Sequence, residues 1–256
     1  MHWITQKFYL ATVLLLCLST PRVMTNSVFV SHDGVDLSNC GNWSMPCRTV
    51  RHAVKMSNDG DKIYIDHAQG RPYKECENVT QAGCFIELTK SVSFHGINGK
   101  ALLQCKKSCK LFKIRSLTFY KTKIKFFNLV ISASSIVAEL GVGVQTQLAL
   151  DNVLIRDNLH GIYGKYSTDC SILVTNSTFE DNFNWGIYLR CSTLRVNINS
   201  SIFRVSSVFF TNNGSIPTVT QRMEILVQNT VFNYQSTPHC NDMIVIKPYA
   251  AIFTSQ

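Results

Sequence analysis

The chain has 256 residues, with 25 Lys and Arg against 16 Asp and Glu, a formal net charge of +9, and 45 % hydrophobic and 11 % aromatic content. That length supports one large domain or two small ones, and that apolar fraction supplies a core, which excludes a disordered chain. A basic balance would suit nucleic acid, but the chain's first residues direct it elsewhere.

The opening MHWITQKFYLATVLLLCLSTPRVMTNS holds one lysine and then the apolar run Phe8 to Leu18. This run is too short to span a bilayer and has the layout of a secretory signal, so residues 1–25 are expected to be removed between Ser19 and Thr25. An uncleaved anchor is the alternative. No second stretch reaches transmembrane length, so the expected destination is extracellular: secreted, or the ectodomain portion of a longer cell-surface protein, and not a nucleic-acid partner.

Removing Cys17 leaves nine cysteines, at 40, 47, 76, 84, 105, 109, 170, 191 and 240. Close pairs in a secreted chain read as disulfides, and none of the spacings is that of a zinc finger. Cys40 with Cys47, Cys76 with Cys84, and Cys105 with Cys109 would each close a short local loop; Cys170 and Cys191, nearly one repeat apart, are expected to pair; Cys240 is the expected leftover. Five N-glycosylation sequons, at Asn42, Asn78, Asn176, Asn199 and Asn213, agree with this destination.

Residues 85–122 alternate like strands without a fixed period. Inside and beyond them runs KKSCKLFKIRSLTFYKTKIK, Lys106 to Lys125, with eight basic residues and no acid. Lys113 and Arg115 flank Ile114, and Lys121, Lys123 and Lys125 alternate with Thr122 and Ile124. If the apolar members face a core, the two basic rows would form a ribbon on adjacent strands, suited to anionic polysaccharide by charge attraction. A merely solvated face is the competing reading.

From here a period of 24 appears. Asn128, Asn152, Asn176 and Ser200 form a row, with apolar residues four before (Ile124, Leu148, Ile172, Val196), two before (Phe126, Leu150, Val174, Ile198) and three after (Ile131, Ile155, Phe179, Phe203). A fifth copy centres on Asn229 after a slip of five residues. Alternation within each copy is strand-like, and its change of parity at the row requires a bend, which asparagine tolerates in a left-handed conformation. A second row, Ser134, Asn158, Asn182 and Ser206, marks the next turn. Several short strands per 24 residues define a coiled solenoid in which Asn128, Asn152 and Asn176, and likewise Asn158 and Asn182, stack as hydrogen-bonded ladders. The first row is expected to face inward, which would bury Asn176 and spare it a glycan while Asn199, one place off the row, stays accessible.

These rows resemble the right-handed parallel β-helix, or pectin-lyase-like, superfamily. SVFVSHDGVDLSNCGNWSMPCRTVRHAV followed by NDGDKIYID is similar to the entry of secreted animal β-helix proteins, which implies a strand, a cysteine-bounded loop and a capping helix over Thr49 to Met56 with Val50, Ala53 and Val54 facing the tube. The implied fold class is all-β, a right-handed parallel β-helix, with residues 26–60 as the N-terminal strand, loop and cap, 61–249 as coils, and 250–256 as a tail. That tail shows no clear cap, so the last strands close the tube irregularly or a longer protein continues.

Stacking makes neighbours across coils readable. Arg156, Glu180 and Arg204 form an outward row of alternating charge. Asp157 stacks on Asp181, a pair spaced for calcium or for a retaining glycosidase, though aspartate before asparagine is also common turn chemistry. His160, with Asp151 and Lys165, lies near in sequence. The paired aspartates of pectin hydrolases in their family contexts, and the calcium acids with a following arginine of pectate lyases, are missing, and no Gly-rich phosphate loop or nucleophile triad is present. The sequence therefore reads as an extracellular binding or structural module for anionic glycans or extracellular proteins. It implies no metal and no cofactor. A carbohydrate-active enzyme, lyase or hydrolase, using Asp157, Asp181 and His160 is the alternative.

Overall fold

Strand-like alternation becomes strands wherever apolar residues recur at every second position. A computed structural model of the chain describes residues 26–76, 84–115, 121–143, 145–204, 206–211, 222–233, 244–247 and 251–253. The expected signal over 1–25, the sequons Asn78 and Asn213, Cys240, and most of the 250–256 tail lie outside the described residues.

The chain enters through β1 (Ser27–Val30) and a seven-residue helix, α1 (Val50–Met56), then winds as repeating triplets of strands. The triplets are β2 (Lys62–Asp66), β3 (Tyr73–Lys74) and β4 (Ile86–Leu88), then β5 (Val92–Ile97), β6 (Ala101–Gln104) and β7 (Lys110–Ile114), then β8 (Thr122–Phe127), β9 (Leu129–Ser132) and β10 (Ile136–Leu140). They continue through β11 (Gln145–Asp151), β12 (Leu154–Arg156), β13 (His160–Thr175), β14 (Thr178–Glu180), β15 (Trp185–Asn199), β16 (Ile202–Arg204) and β17 (Ser207–Thr211). The last described strands are β18 (Arg222–Gln228), β19 (Val231–Asn233), β20 (Ile244–Lys247) and β21 (Ala251–Phe253). All described strand pairings are parallel and join each strand to its counterpart one coil away, with Leu148 opposite both Ile124 and Ile172. The result is an all-β parallel solenoid with three faces. The second face, β3, β6, β9, β12, β14, β16 and β19, is a separate sheet; the first and third belong to one larger sheet because β13 and β15 run continuously through both.

The predicted rows fill the tube. Ile124, Leu148, Ile172 and Val196 are at most 3 % exposed, as are Phe126, Leu150, Val174 and Ile198. In the row three places on, Phe179 stacks on Phe203 at 4.7 Å and Phe203 on Phe232 at 5.0 Å. The register slip of five also holds, because Val196 pairs with Ile225, but Val227 in that last copy is 39 % exposed.

The bend residues take left-handed conformations, with φ of 55° at Asn128 and Asn152, 49° at Asn176 and Ser200, and 48° at Asn229. Their side chains nevertheless point outward, against expectation, and Asn152 and Asn176 are exposed. The cause is the parity change itself: the residue after each bend, Leu129, Val153, Ser177 or Ser201, turns inward instead and is buried. Only part of an outer ladder forms, with Asn152 Nδ2 donating to Asn128 Oδ1 at 3.1 Å, while Asn176 donates to Asp151. Asn128 reaches back to donate to the Gly96 and Gly99 carbonyls, and a Cβ on Gly96 would collide with the Asn128 carbonyl.

The buried ladder is the second row. Asn158 Oδ1 accepts from the Ser134 amide (2.9 Å) and hydroxyl (2.8 Å), Asn158 Nδ2 donates to Asn182 Oδ1 (3.0 Å), and Asn182 Nδ2 donates to Ser206 Oγ (3.0 Å). Each amide also donates to a backbone carbonyl, Arg156 for Asn158 and Ile155 for Asn182.

All eight described cysteines are disulfide-bonded, but two of the expected pairings are replaced. Cys40–Cys47 and Cys170–Cys191 form, whereas Cys76 bonds Cys105 and Cys84 bonds Cys109. β3 stacks on β6 and β4 on β7, so cysteines that follow or precede stacked strands meet across coils, not along the chain. The helix α1 buries Val50, Ala53 and Val54, with Thr49 as its N-cap. The buried Glu75 carboxylate accepts from the Val50 and Arg51 amides at 2.8 and 3.0 Å, fastening the helix to the first coil. Among the described residues no helix is long and apolar enough to cross a membrane.

The two asparagine rows should separate in a urea titration with the disulfides intact. Asn158→Ala leaves the Ser134 amide and hydroxyl and Asn182 Oδ1 unpaired in the interior and should cost about 3 kcal/mol. Asn152→Ala, at the surface, should cost about 1 kcal/mol, the strain of a left-handed alanine.

Candidate functional site

Outward residues on a solenoid are ordered by the same registers as the core. On the first face, Ser27, Lys62, Ser93, Lys125 and Ala149 form one row, and Phe29, Tyr64, His95 and Phe127 form the next. Lys123 stands two residues before Lys125, opposite Gln147. Lys62, Lys123 and Lys125 are exposed, and none has an ion-pair partner among the described residues.

The expected ribbon on adjacent strands does not form. β7 pairs with β4 and β10, and β8 with β5 and β11, so Lys113 and Arg115 lie on the third face while Lys121, Lys123 and Lys125 lie on the first. Consecutive strands of a coil occupy different faces, which makes sequence proximity misleading. The basic residues also differ in their partners. Arg115 pairs with Glu87 at 3.1 Å, Lys121 with Asp169 at 3.3 Å, and Lys110 with Glu139 at 2.6 Å, while Lys113 sits 5.0 Å above the Phe85 ring.

Beside the lysines the aromatic row is stacked, with Phe29 to Tyr64 at 5.3 Å, Tyr64 to His95 at 5.3 Å and His95 to Phe127 at 4.6 Å between ring centres. Burial, and then the charges of Lys62 and Lys125, hold the His95 imidazole below its ordinary pKa. The sequence reading missed this row because its members are 35, 31 and 32 residues apart, outside the 24-residue period. A second outer stack on the third face, Tyr163, Tyr188 and Phe209 with Trp185, was also missed. Its signal was legible in HGIYGK and WGIYLR, which repeat Gly-Ile-Tyr after 25 residues.

Asp157 and Asp181 are exposed and adopt φ of 58° and 50°, a second left-handed row that begins at Ala133. They line a hollow of about 330 Å³ with Lys107, Ser134, Asn158, Leu159 and Phe183. His160 does not line it; its Nδ1 is buried without a hydrogen-bond partner and burial lowers its pKa. Asp151 accepts from Thr175 and Asn176, and Lys165 lines a different hollow with Lys113, Glu139 and Tyr163. The structure thus brings the two aspartates together and separates them from His160, Asp151 and Lys165. In the outer charge row, Arg204 reaches Glu180 at 3.4 Å and Arg156 turns to Asp157 at 3.6 Å. The one group with metal-ligand spacing among the described residues, Cys76, Cys105 and Cys109, has its thiols consumed in disulfides.

No family model matches the chain, and no curated protein matches it. Among solved structures it is similar to a rhamnogalacturonan lyase, with a TM-score of 0.45 and 10 % identity, covering 87 % of this chain and 66 % of that one. What defines the class of this protein is its own winding: a disulfide-bonded parallel β-helix.

His95 gives the first face a pH signature. An unfolded histidine titrates near 6.5, and the folded one lower, so below 6.5 the unfolded chain binds a proton that the folded chain does not. The stability His95 contributes above that pH is lost as pH falls toward its folded pKa. Lowering pH from 7 to 5 should therefore lower the urea midpoint, by less in His95→Gln, and the His95 ring protons should titrate below 6.5 by NMR.

Proposed function

We propose that the chain is an extracellular β-helix module that holds anionic polysaccharide against the outer surface of its first face. The carrying observation is that Lys62, Lys123 and Lys125 are exposed there without acidic partners, beside a stacked aromatic row. Lysine is a flexible point charge, and a row of them attracts sulfate or carboxylate groups without demanding one geometry. Lys113, Arg115 and Lys121 belong less to this reading, because each is engaged elsewhere on the surface. Four disulfides fit an extracellular protein, and the glycans expected at Asn42 and Asn199 belong to the same proposal.

Heparin chromatography near physiological salt tests it. A Lys62→Ala, Lys123→Ala, Lys125→Ala variant loses three contacts worth about 1 kcal/mol each in water, so binding should weaken on the order of 100-fold. Equal elution of variant and wild type would remove the basic face from the function. A second reading, a polysaccharide lyase or glycoside hydrolase, rests on Asp157 and Asp181 sharing one hollow. New reducing ends or unsaturated products, lost in Asp157→Asn, would favour it.

The outward turn of Asn176 also reverses the expectation about its sequon. Its side chain is exposed and Ser177 and Thr178 follow, so mass spectrometry of the secreted protein should find Asn176 occupied. An unmodified Asn176 beside an occupied Asn199 would contradict this.

A further inference from the structure

The N-terminal loop contains the most exposed aromatic side chain among the described residues. Trp43 is 70 % exposed, although a tryptophan left in water forfeits the burial that normally stabilises it. The loop that carries it is rigidly held. Cys40–Cys47 closes it, the Phe29 amide donates to the Gly41 carbonyl at 2.8 Å, and the Cys47 amide donates to the Phe29 carbonyl at 2.8 Å. Within the loop, the Gly41 amide donates to the Met45 carbonyl, and Asn42 Oδ1 accepts from the Met45 amide at 2.7 Å. The indole therefore stays at the surface because its backbone is fastened on both sides of Phe29, whose ring it meets edge to face at 5.1 Å.

Trp43 lines a hollow of about 270 Å³ with Phe29, Val30, Ser31, Pro46, Asp66, Ile97 and Asn98. The wall is apolar and aromatic apart from three groups. Asn98 Nδ2 donates to Asp66 Oδ1 at 3.0 Å, which orients both side chains. Asp66 Oδ2 and the Asn98 amide oxygen have no hydrogen bond among the described residues, and the Ser31 hydroxyl, which accepts from the Asp33 amide, keeps its proton to donate. An apolar wall with a few fixed polar atoms is the usual make-up of a small-ligand site.

We propose that this hollow binds one neutral, hydroxyl-rich sugar ring of an oligosaccharide. A pyranose has an apolar C–H face and a rim of hydroxyls. The face suits the indole, whose ring electrons attract the weakly positive C–H groups, and the rim suits two acceptors and a donor. Asp66 is the only ionisable residue in the wall, and its negative charge disfavours an acidic sugar. The site adjoins the basic face through Phe29, which lines the hollow and begins the aromatic row, but its charged group is set off from the lysines, because Lys62 and Asp66 lie four residues apart on one strand, roughly 13 Å.

Titration of the purified protein with hexasaccharides of β-linked glucose, mannose, xylose and N-acetylglucosamine, followed by indole fluorescence, tests the proposal. In a Trp185→Phe background Trp43 is the only indole beyond Trp3. At least one neutral hexasaccharide should shift its emission, with affinity at least ten-fold weaker in Asp66→Ala; calorimetry, which needs no indole, should show binding partly kept in Trp43→Phe. By calorimetry, Trp43→Ala should abolish binding while leaving circular dichroism and the disulfide map unchanged. No response to any of the four sugars, or binding that survives Trp43→Ala, would overturn it. Heparin retention is read on the wild type in parallel, so either site can fail alone.

Discussion

Everything in this molecule follows from stacking parallel coils in register, one strand spacing of about 4.8 Å apart. Each residue then meets its own counterpart from the next coil, and an interior position can be filled only by a side chain that tolerates a copy of itself. Aliphatic residues satisfy this by packing, as Ile124, Leu148 and Ile172 do, and phenylalanines by lying face to face, as Phe179 and Phe203 do. A buried polar side chain satisfies it only when it is both donor and acceptor. The carboxamide meets that condition, which is why Asn158 and Asn182 occupy the inner turn and why hydroxyls, able to play either part, close the row at Ser134 and Ser206.

On the outside the same stacking acts on charge. Like charges one spacing apart repel, and several outer rows alternate accordingly: Glu87, Lys113 and Glu139 on the third face, Arg156, Glu180 and Arg204 on the second. The row Lys62, Ser93, Lys125 solves the problem differently, by placing a neutral serine between two lysines. Repulsion is halved by distance without being cancelled by an acid, so the positive charge remains directed at solvent. Such a row costs a little stability, and in the function proposed here an anionic chain offsets that cost.

Periodicity made the inner rows, the left-handed bends and the second asparagine row legible, because burial and backbone conformation repeat with the coil. It misplaced what depends on neighbours that the period does not generate. Reading Asn176 as inward carried the strand alternation one residue too far through a bend that reverses it. Pairing Cys76 with Cys84 counted distance along the chain, whereas the coil carries the chain around the tube and back to Cys105 before a partner appears. Joining Lys113 to Lys123 made the same error with charge. The row Phe29, Tyr64, His95 and Phe127 was hidden because the first coils carry longer loops, so its spacing in sequence varies while its spacing in space does not.

A regular solenoid face repeats one short interval and can match any polymer whose charges fall near that interval, so it supplies attraction with little discrimination. Discrimination requires polar groups fixed at unequal positions, and here those occur where the winding is interrupted. The Cys40–Cys47 loop is such a place: it lies before the first coil, it is fastened by a disulfide and by bonds to both sides of Phe29, and it sets an indole against Asp66 and Asn98, which the coils supply. Because the loop is already fastened, binding of the proposed sugar ring would not have to order it, and weak contacts with a single ring could then select among ligands. The coils hold the groups apart at fixed distances, and the interruption gives them a shape.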